Sequence, residues 1–279
     1  MMSMSRFACV LCHHPRAYEV APCVREGDAY QIQRCEACGH VQLFPVPTDA
    51  ELRTYYQAET QRKAVHGHLS SDEKRKHVLA DTERRIALIQ SLTPSEVFDY
   101  GAGERFLCDP LDELGIAYTG YDLVSDPDRI LPADYCVVTL FHVLEHIPCF
   151  AHTIKMCWNI LRDHGHLLIE VPNHNDWMIE ECPAYAAWHY QQAHIHYFTP
   201  ETLCAVVQKT LGDACTSWTL EGVQRYSLSN AMHWLSHGVP QTGVPIGWCD
   251  AHCTEEDHAY RIHRQNSLTC DTLMMILTK

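Results

Sequence analysis

Nothing in this chain approaches the roughly 20 consecutive apolar residues that a membrane-spanning helix needs, so no transmembrane segment is expected. The opening residues, Met1-Met-Ser-Met-Ser-Arg6, hold no apolar signal core and no cleavage site, which argues against secretion. Positive charge is also scarce. Only 21 Lys and Arg stand against 35 Asp and Glu, a formal net charge of −14. The one basic cluster, Lys74-Arg75-Lys76, follows Glu73 in a mixed-charge, helix-like stretch and reads as a solvated face. Because phosphate neutralisation dominates nucleic-acid binding, this balance disfavours a nucleic-acid partner. The 20 histidines reduce the negative charge below neutral pH without building a basic groove.

Cysteine, by contrast, is plentiful, at 15 residues. Cys108, Cys136, Cys157 and Cys204 are isolated inside apolar segments, as buried free thiols tend to be. That placement points to a reducing, cytoplasmic setting rather than a disulfide framework. Four others form a pattern: Cys9-x-x-Cys12 and Cys35-x-x-Cys38-Gly39, with 22 residues between the pairs. Two such knuckles suit tetrahedral zinc, and the glycine after the second pair permits a tight turn. No βαβ pattern surrounds either pair, which disfavours a redox role. Tyr30–Arg34 reads as a short strand between the knuckles. Cys23, His13 and His14 lie near enough in sequence to exchange with a ligand. A unit this small buries too little apolar surface to fold alone, so residues 1–45 are expected to depend on Zn2+.

Residues 46–95 read as a helical linker. Prolines 45 and 47 stop the ribbon, Thr48 or Asp49 starts a helix, and residues 72–92 form a charged helix with Val78, Leu79, Ile86 and Ile89 on one side. From Val97 the pattern changes to V-F-D-Y-G-A-G, an apolar run meeting Asp99, then Gly101 and Gly103 one residue apart. About twenty residues on, a second short run, Y-T-G-Y, ends in Asp122. Strand, glycine turn, helix, strand and terminal carboxylate is how a Rossmann-like half-domain holds an adenosine ligand. The glycines admit close backbone approach, and the carboxylate accepts from ribose hydroxyls. Ala133–Phe141 then reads as another buried strand, followed at once by His142-Val-Leu-Glu145-His146-Ile.

With D-x-G-x-G, an acidic second-strand end and H-V-L-E-H-I in this order, the chain resembles class I methyltransferases. The resemblance implies an α/β, Rossmann-like domain over 96–279 with helices on both faces, preceded by the small zinc-ribbon-like unit. It also implies S-adenosylmethionine as cofactor, held by Asp99, Gly101, Gly103, Arg105, Asp122, Leu123, Phe141 and His142. Arg105 stands where the family usually has a third glycine; it either narrows the pocket or pairs with the methionine carboxylate. Only about ten residues separate Asp122 from the next strand, so the usual intervening helix and third strand are expected to be vestigial or missing. Further along, Gly165–Val171 reads as a strand and 174–193 as an aromatic, irregular insertion over the substrate. His194-Ile-His196-Tyr-Phe-Thr-Pro-Glu opens the next helix.

The C-x-x-C-G unit, P-x-P-T, Tyr55-Tyr56 and H-x-H-Y-F-T-P-E-T-L resemble in particular a subgroup acting on nucleotide-linked deoxysugars or in polysaccharide and natural-product assembly. Its sugar C-methyltransferases carry a further C-terminal domain, whereas this chain stops at Lys279. The resemblance implies a small-molecule acceptor and places His146 and His194 at the substrate as candidate general bases. His142 is either catalytic or a helix-entry residue touching the cofactor. Glu145 reads as a helix-start carboxylate and His196 as a core histidine. His189, His194 and His196, and likewise Cys249-Asp-Ala-His252-Cys253, are weak as metal sets. Methylation of RNA and a non-catalytic binding role are the competing functions. Oligomeric state is not legible.

Overall fold

The computed structural model describes residues 6–57, 71–122, 134–241 and 254–279, with the side chains of 57 and 71–77 excepted. Leu123, the segment up to Ala133, and the Cys249–Cys253 cluster lie outside the described residues. The expected α/β Rossmann-like architecture is present as a six-stranded sheet in the order β5-β4-β6-β7-β10-β9. Its strands are β4 (Glu96–Tyr100), β5 (Ala117–Tyr121), β6 (Tyr135–Phe141), β7 (Leu161–Pro172), β9 (Ser217–Val223) and β10 (Thr272–Thr278).

Strands β5, β4, β6 and β7 run parallel, and β10 runs antiparallel between β7 and β9. All seven residues of β6 are buried, as a strand covered on both faces requires. Apolar residues pack both faces: Phe98, Val138, Ile154 and Trp158 in one cluster, Ile86, Ile89, Val97 and Val137 in the other. The helix Ser71–Ser91 thus buries Ile86 and Ile89, but Leu79, expected on the same side, is 53% exposed. Strand β4 pairs with β5 on one side and β6 on the other. The chain connections diverge there, opening a crevice at the carboxyl ends of the strands. Among the described residues no strand lies beyond β5.

The first residues build a second sheet, β1 (Ala17–Ala21), β2 (Gln31–Cys35) and β3 (Val41–Phe44), joined by β8 (His196–Tyr197) from beyond the insertion. Strand β3 meets β8 at Val41–Tyr197 and Gln42–His196, and Leu43 N–H donates to the Ile195 carbonyl at 2.9 Å. The four-cysteine unit is therefore stitched to the segment that carries His194. The insertion itself is not irregular. It folds into two short helices, Trp177–Glu181, capped by Asp176 accepting from Met178 N–H, and Pro183–His189, with proline at its start. Local capping and a buried aromatic cluster around Tyr185 and Trp234 order it despite its mixed pattern. Thr199 opens the next helix, Pro200–Leu211, through a capping box with Thr202.

Candidate functional site

Strand β4 delivers Asp99 and then turns sharply. Gly101 and Ala102 donate their N–H groups to the Tyr121 carbonyl at 2.7 and 2.9 Å. Gly101 holds φ +78, and a Cβ there would sit 2.4 Å from Val143 Cγ2, so only glycine fits. Gly103 donates its N–H to Asp122 Oδ2 at 3.3 Å, which fixes the carboxylate that ends β5 against the turn. Asp99 is buried and accepts from Thr139 Oγ1 at 2.6 Å and Tyr118 OH at 3.0 Å. Burial pushes its carboxyl up and these two bonds oppose the shift. Arg105 lies apart: its Nη1 donates to the Gly120 carbonyl at 3.0 Å and it is not among the cavity-lining residues. One arm of its guanidinium is thus held by the β5 backbone.

Strand β6 ends at Phe141, and His142 takes a left-handed backbone, φ +54, unusual for a side chain of this size. The ring is gripped on both nitrogens. Nδ1 lies 3.2 Å from Glu145 Oε1, and Nε2 lies 3.1 Å from Glu170 Oε1 and 3.2 Å from Arg225 Nη1. Burial and Arg225 push the imidazole down, but the bonds to Glu145 and Glu170 outweigh them and its pKa is raised. Behind it, Glu170 is fully buried and bridged by Arg84 and by Arg85, whose Nη2 reaches Oε1 at 2.5 Å.

The turn Leu144–His146 carries the other histidine of the motif. His146 Nδ1 donates to the Ala193 carbonyl at 2.8 Å, which puts the neutral ring's acceptor at Nε2. Nε2 lies 3.8 Å from Glu145 Oε1. Glu145 is 1% exposed, and its Oε2 has no hydrogen-bond partner. The His194 ring packs edge-on against His146, centroids 4.8 Å apart, and Gln191 Nε2 donates to it at 2.9 Å. Burial, with His146 and His189 nearby, holds His194 well below the usual histidine range, hence neutral at pH 7. His196 lies behind this pair. Buried, it donates from Nε2 to the Ile147 carbonyl at 3.0 Å and bonds His40 through Nδ1 at 3.2 Å.

These residues converge on one cavity of about 380 Å³. Asp99, Gly101, Gly103, Phe141, His142, His146 and His194 all line it, and Asp122 adjoins it by accepting from the Gly103 amide. Sequence reading missed part of the wall, Arg85 and Thr82 from the helix Ser71–Ser91 and Arg225 and Asp271 from beyond the insertion, while Tyr185, Trp188 and His189 come from the aromatic insertion itself. Arg225 Nε donates to Asp271 Oδ1 at 2.9 Å, and Asp271 Oδ2 also accepts from Gln224 Nε2 at 2.8 Å. The only signal in sequence was a set of charged residues inside otherwise apolar segments, without an indication of partner.

The four cysteine sulfurs gather away from this cavity, all within 4.8 Å of one another. Cys9 and Cys38 Sγ are 3.5 Å apart, as are Cys12 and Cys35 Sγ. Zinc with Zn–S near 2.3 Å spaces its sulfurs by about 3.8 Å, so the residues fit the ion. Burial pushes the Cys9 and Cys38 thiols up, Cys38 to about 11. At Cys35 burial is outweighed by backbone N–H groups of Cys38 and Ala37, and its thiol is lowered. Gly39, at φ +72, closes the knuckle with its N–H donating to the Cys35 carbonyl.

Comparison with curated proteins found no match. Among solved structures the chain is similar to a SAM-dependent methyltransferase from Archaeoglobus fulgidus, at 16% identity and TM-score 0.45, covering 71% of this chain and 94% of that one. It is also similar to the Burkholderia thailandensis 1,6-didemethyltoxoflavin-N1-methyltransferase with bound 1,6-didemethyltoxoflavin and S-adenosylhomocysteine, at 14% identity and TM-score 0.49, covering 91% and 97%. A family model described as a methyltransferase domain matches residues 71–210, half of the chain and the part that carries the glycine turn, β6 and the histidine motif. With that match, the chain belongs to the family of class I, S-adenosylmethionine-dependent methyltransferase domains.

Proposed function

We propose that this protein methylates a small molecule, a nucleotide-linked sugar or a natural-product intermediate, with His146 or His194 as general base and one structural Zn2+ on Cys9, Cys12, Cys35 and Cys38. The observation that carries the reading is the continuity of the cavity from Asp99, Gly101 and Gly103 to His146 and His194. Its wall holds five carboxylates (Asp81, Asp99, Glu104, Glu145, Asp271) against two guanidinium groups, a balance suited to a cationic sulfonium. When bound, S-adenosylmethionine supplies the electrophilic methyl group. The chain's own residues align the acceptor and remove its proton. The Ala193 carbonyl holds the proton of His146 on Nδ1, so Nε2 is the acceptor, and buried Glu145 stabilises the imidazolium that results. A cavity of this volume suits a small ligand. The deciding experiment is tritium transfer from S-adenosylmethionine into a metabolite pool and, separately, into RNA. Label in small molecules alone is expected, and label in RNA would overturn the reading.

Two further outcomes follow from the same assignments. Asp122→Ala removes both the acceptor for ribose hydroxyls and the partner of the Gly103 amide. The variant is expected to bind S-adenosylhomocysteine more weakly by about 1–3 kcal/mol, read by calorimetry. Unchanged affinity would remove Asp122 from the ribose site. Protein purified without added zinc should carry close to one metal equivalent by elemental analysis. Cys35→Ser/Cys38→Ser should lose it together with folded-state stability, because a small unit with little core leans on its metal. Metal content below about a tenth of an equivalent, with an undisturbed unfolding transition in the variant, would reject the zinc site.

A further inference from the structure

The cavity contains a polar group that methyl transfer as described leaves unused. His189 ends the helix Pro183–His189, is 7% exposed and lines the cavity, yet its Nε2 has no hydrogen-bond partner. A buried polar atom left this way costs about 1–3 kcal/mol, which a ligand of the right chemistry restores. Burial, with Arg25 and Arg225 adding to it, lowers the imidazole to about 4, so at neutral pH the ring is uncharged. Glu145 Oε2 is the second buried, unpartnered polar atom of the same wall. Trp188, adjacent to His189, supplies an aromatic surface and is backed by Arg25, 4.8 Å from its ring.

Charge in the wall narrows the class of ligand. Arg225 is committed to Asp271 and Arg85 to Glu170, so both guanidinium groups are already matched by carboxylates. An anionic acceptor group would face Glu145, Asp81 and Asp271, and both guanidinium groups among the described lining residues are already matched. Neutral hydroxyl groups suit both orphaned atoms, one donating to Glu145 Oε2 and one exchanging a hydrogen bond with His189 Nε2. Resting on the methyltransferase reading above, we propose that His189 is a specificity-determining residue of an acceptor subsite for a neutral, polyhydroxylated ring. The ring packs beside Trp188, and any charged appendage of the substrate stays outside the cavity.

Saturation-transfer NMR on the full chain tests this, with methyl α-D-glucopyranoside and methyl α-L-rhamnopyranoside as neutral probes and D-glucuronate as the anionic one. Titrations are run with and without saturating S-adenosylhomocysteine. Binding of a neutral glycoside at least about tenfold tighter than glucuronate is expected. His189→Phe, which keeps a ring and loses the nitrogen, should weaken that binding about tenfold while S-adenosylhomocysteine affinity by calorimetry stays unchanged. His189→Gln, which keeps a donor and acceptor, should largely restore it. Absence of neutral-probe binding, tighter glucuronate binding, or a folded His189→Phe variant that binds as the parent does would each overturn the subsite. Should His189→Phe not fold, the discrimination between neutral and anionic probes by the parent still decides it. Failure of S-adenosylhomocysteine to bind would instead fell the methyl-donor reading, while the titrations without it still judge the subsite.

Discussion

Replacing His146 by alanine is expected to lower methyl-transfer turnover by about 10²–10⁴-fold while S-adenosylhomocysteine affinity stays nearly intact, because a general base acts in the transfer and not in cofactor binding. His194→Ala shares this expectation if His194 is the base. The rings are edge-to-face at 4.8 Å, so each reports on the same part of the cleft. The pH profile tests the His194 alternative. Burial and neighbouring histidines hold His194 well below its ordinary value. As the base it stays unprotonated through neutral pH, and activity falls only as pH drops below the usual histidine range. Measurement needs the true acceptor, found by screening nucleotide sugars and small hydroxylated metabolites. If neither variant loses even about tenfold in turnover, proton removal belongs to solvent or another group, and the site works by alignment.

Glu170→Ala, behind the cavity wall, is expected to be strongly destabilising, by about 3–5 kcal/mol in a denaturant melt at pH 7. The carboxylate is fully buried and received by Arg84, Arg85 and His142, so its removal leaves two nearly buried guanidinium groups without their common partner. Burial alone would raise the Glu170 pKa, but the two arginines and His142 outweigh it and hold it well below the ordinary carboxylate range. A depressed folded value means that the stabilisation is present above the unfolded value, about 4.3, and is lost as pH falls through the folded one. The gap between parent and variant should therefore be full at pH 7 and shrink only in strong acid. A loss under about 1 kcal/mol at pH 7 would show that water replaces the carboxylate at little cost.

The same network explains which parts of the site were legible beforehand. The glycine turn was, because its demand is local: φ is positive at Gly101 and Gly103, a Cβ at Gly101 collides with Val143, and D-x-G-x-G states this within five residues. The paired cysteines were legible for a similar reason, each C-x-x-C-type knuckle being closed by its own backbone, as with Gly39 N–H on the Cys35 carbonyl. The capped helix at Thr199 belongs with these. Sequence by itself thus determined the strand and turn succession that leads to a nucleoside-binding α/β sheet.

Only tertiary structure decided what faces the cavity. Arg85 and Glu170 are 85 positions apart and Arg225 and Asp271 are 46, so each pair reads as isolated charges until the helix Ser71–Ser91 packs over β7 and β9 pairs with β10. Arg105, singled out from the motif, donates Nη1 to the Gly120 carbonyl, a contact no motif spacing reveals. The insertion looked irregular because its apolar residues pack against a distant helix, Leu228–His237, and thus lack a local period. That packing turns His189 into the cavity. The β3–β8 pairing likewise ties the cysteine unit to the histidine segment through backbone groups, which every residue carries and which side-chain pattern therefore cannot assign.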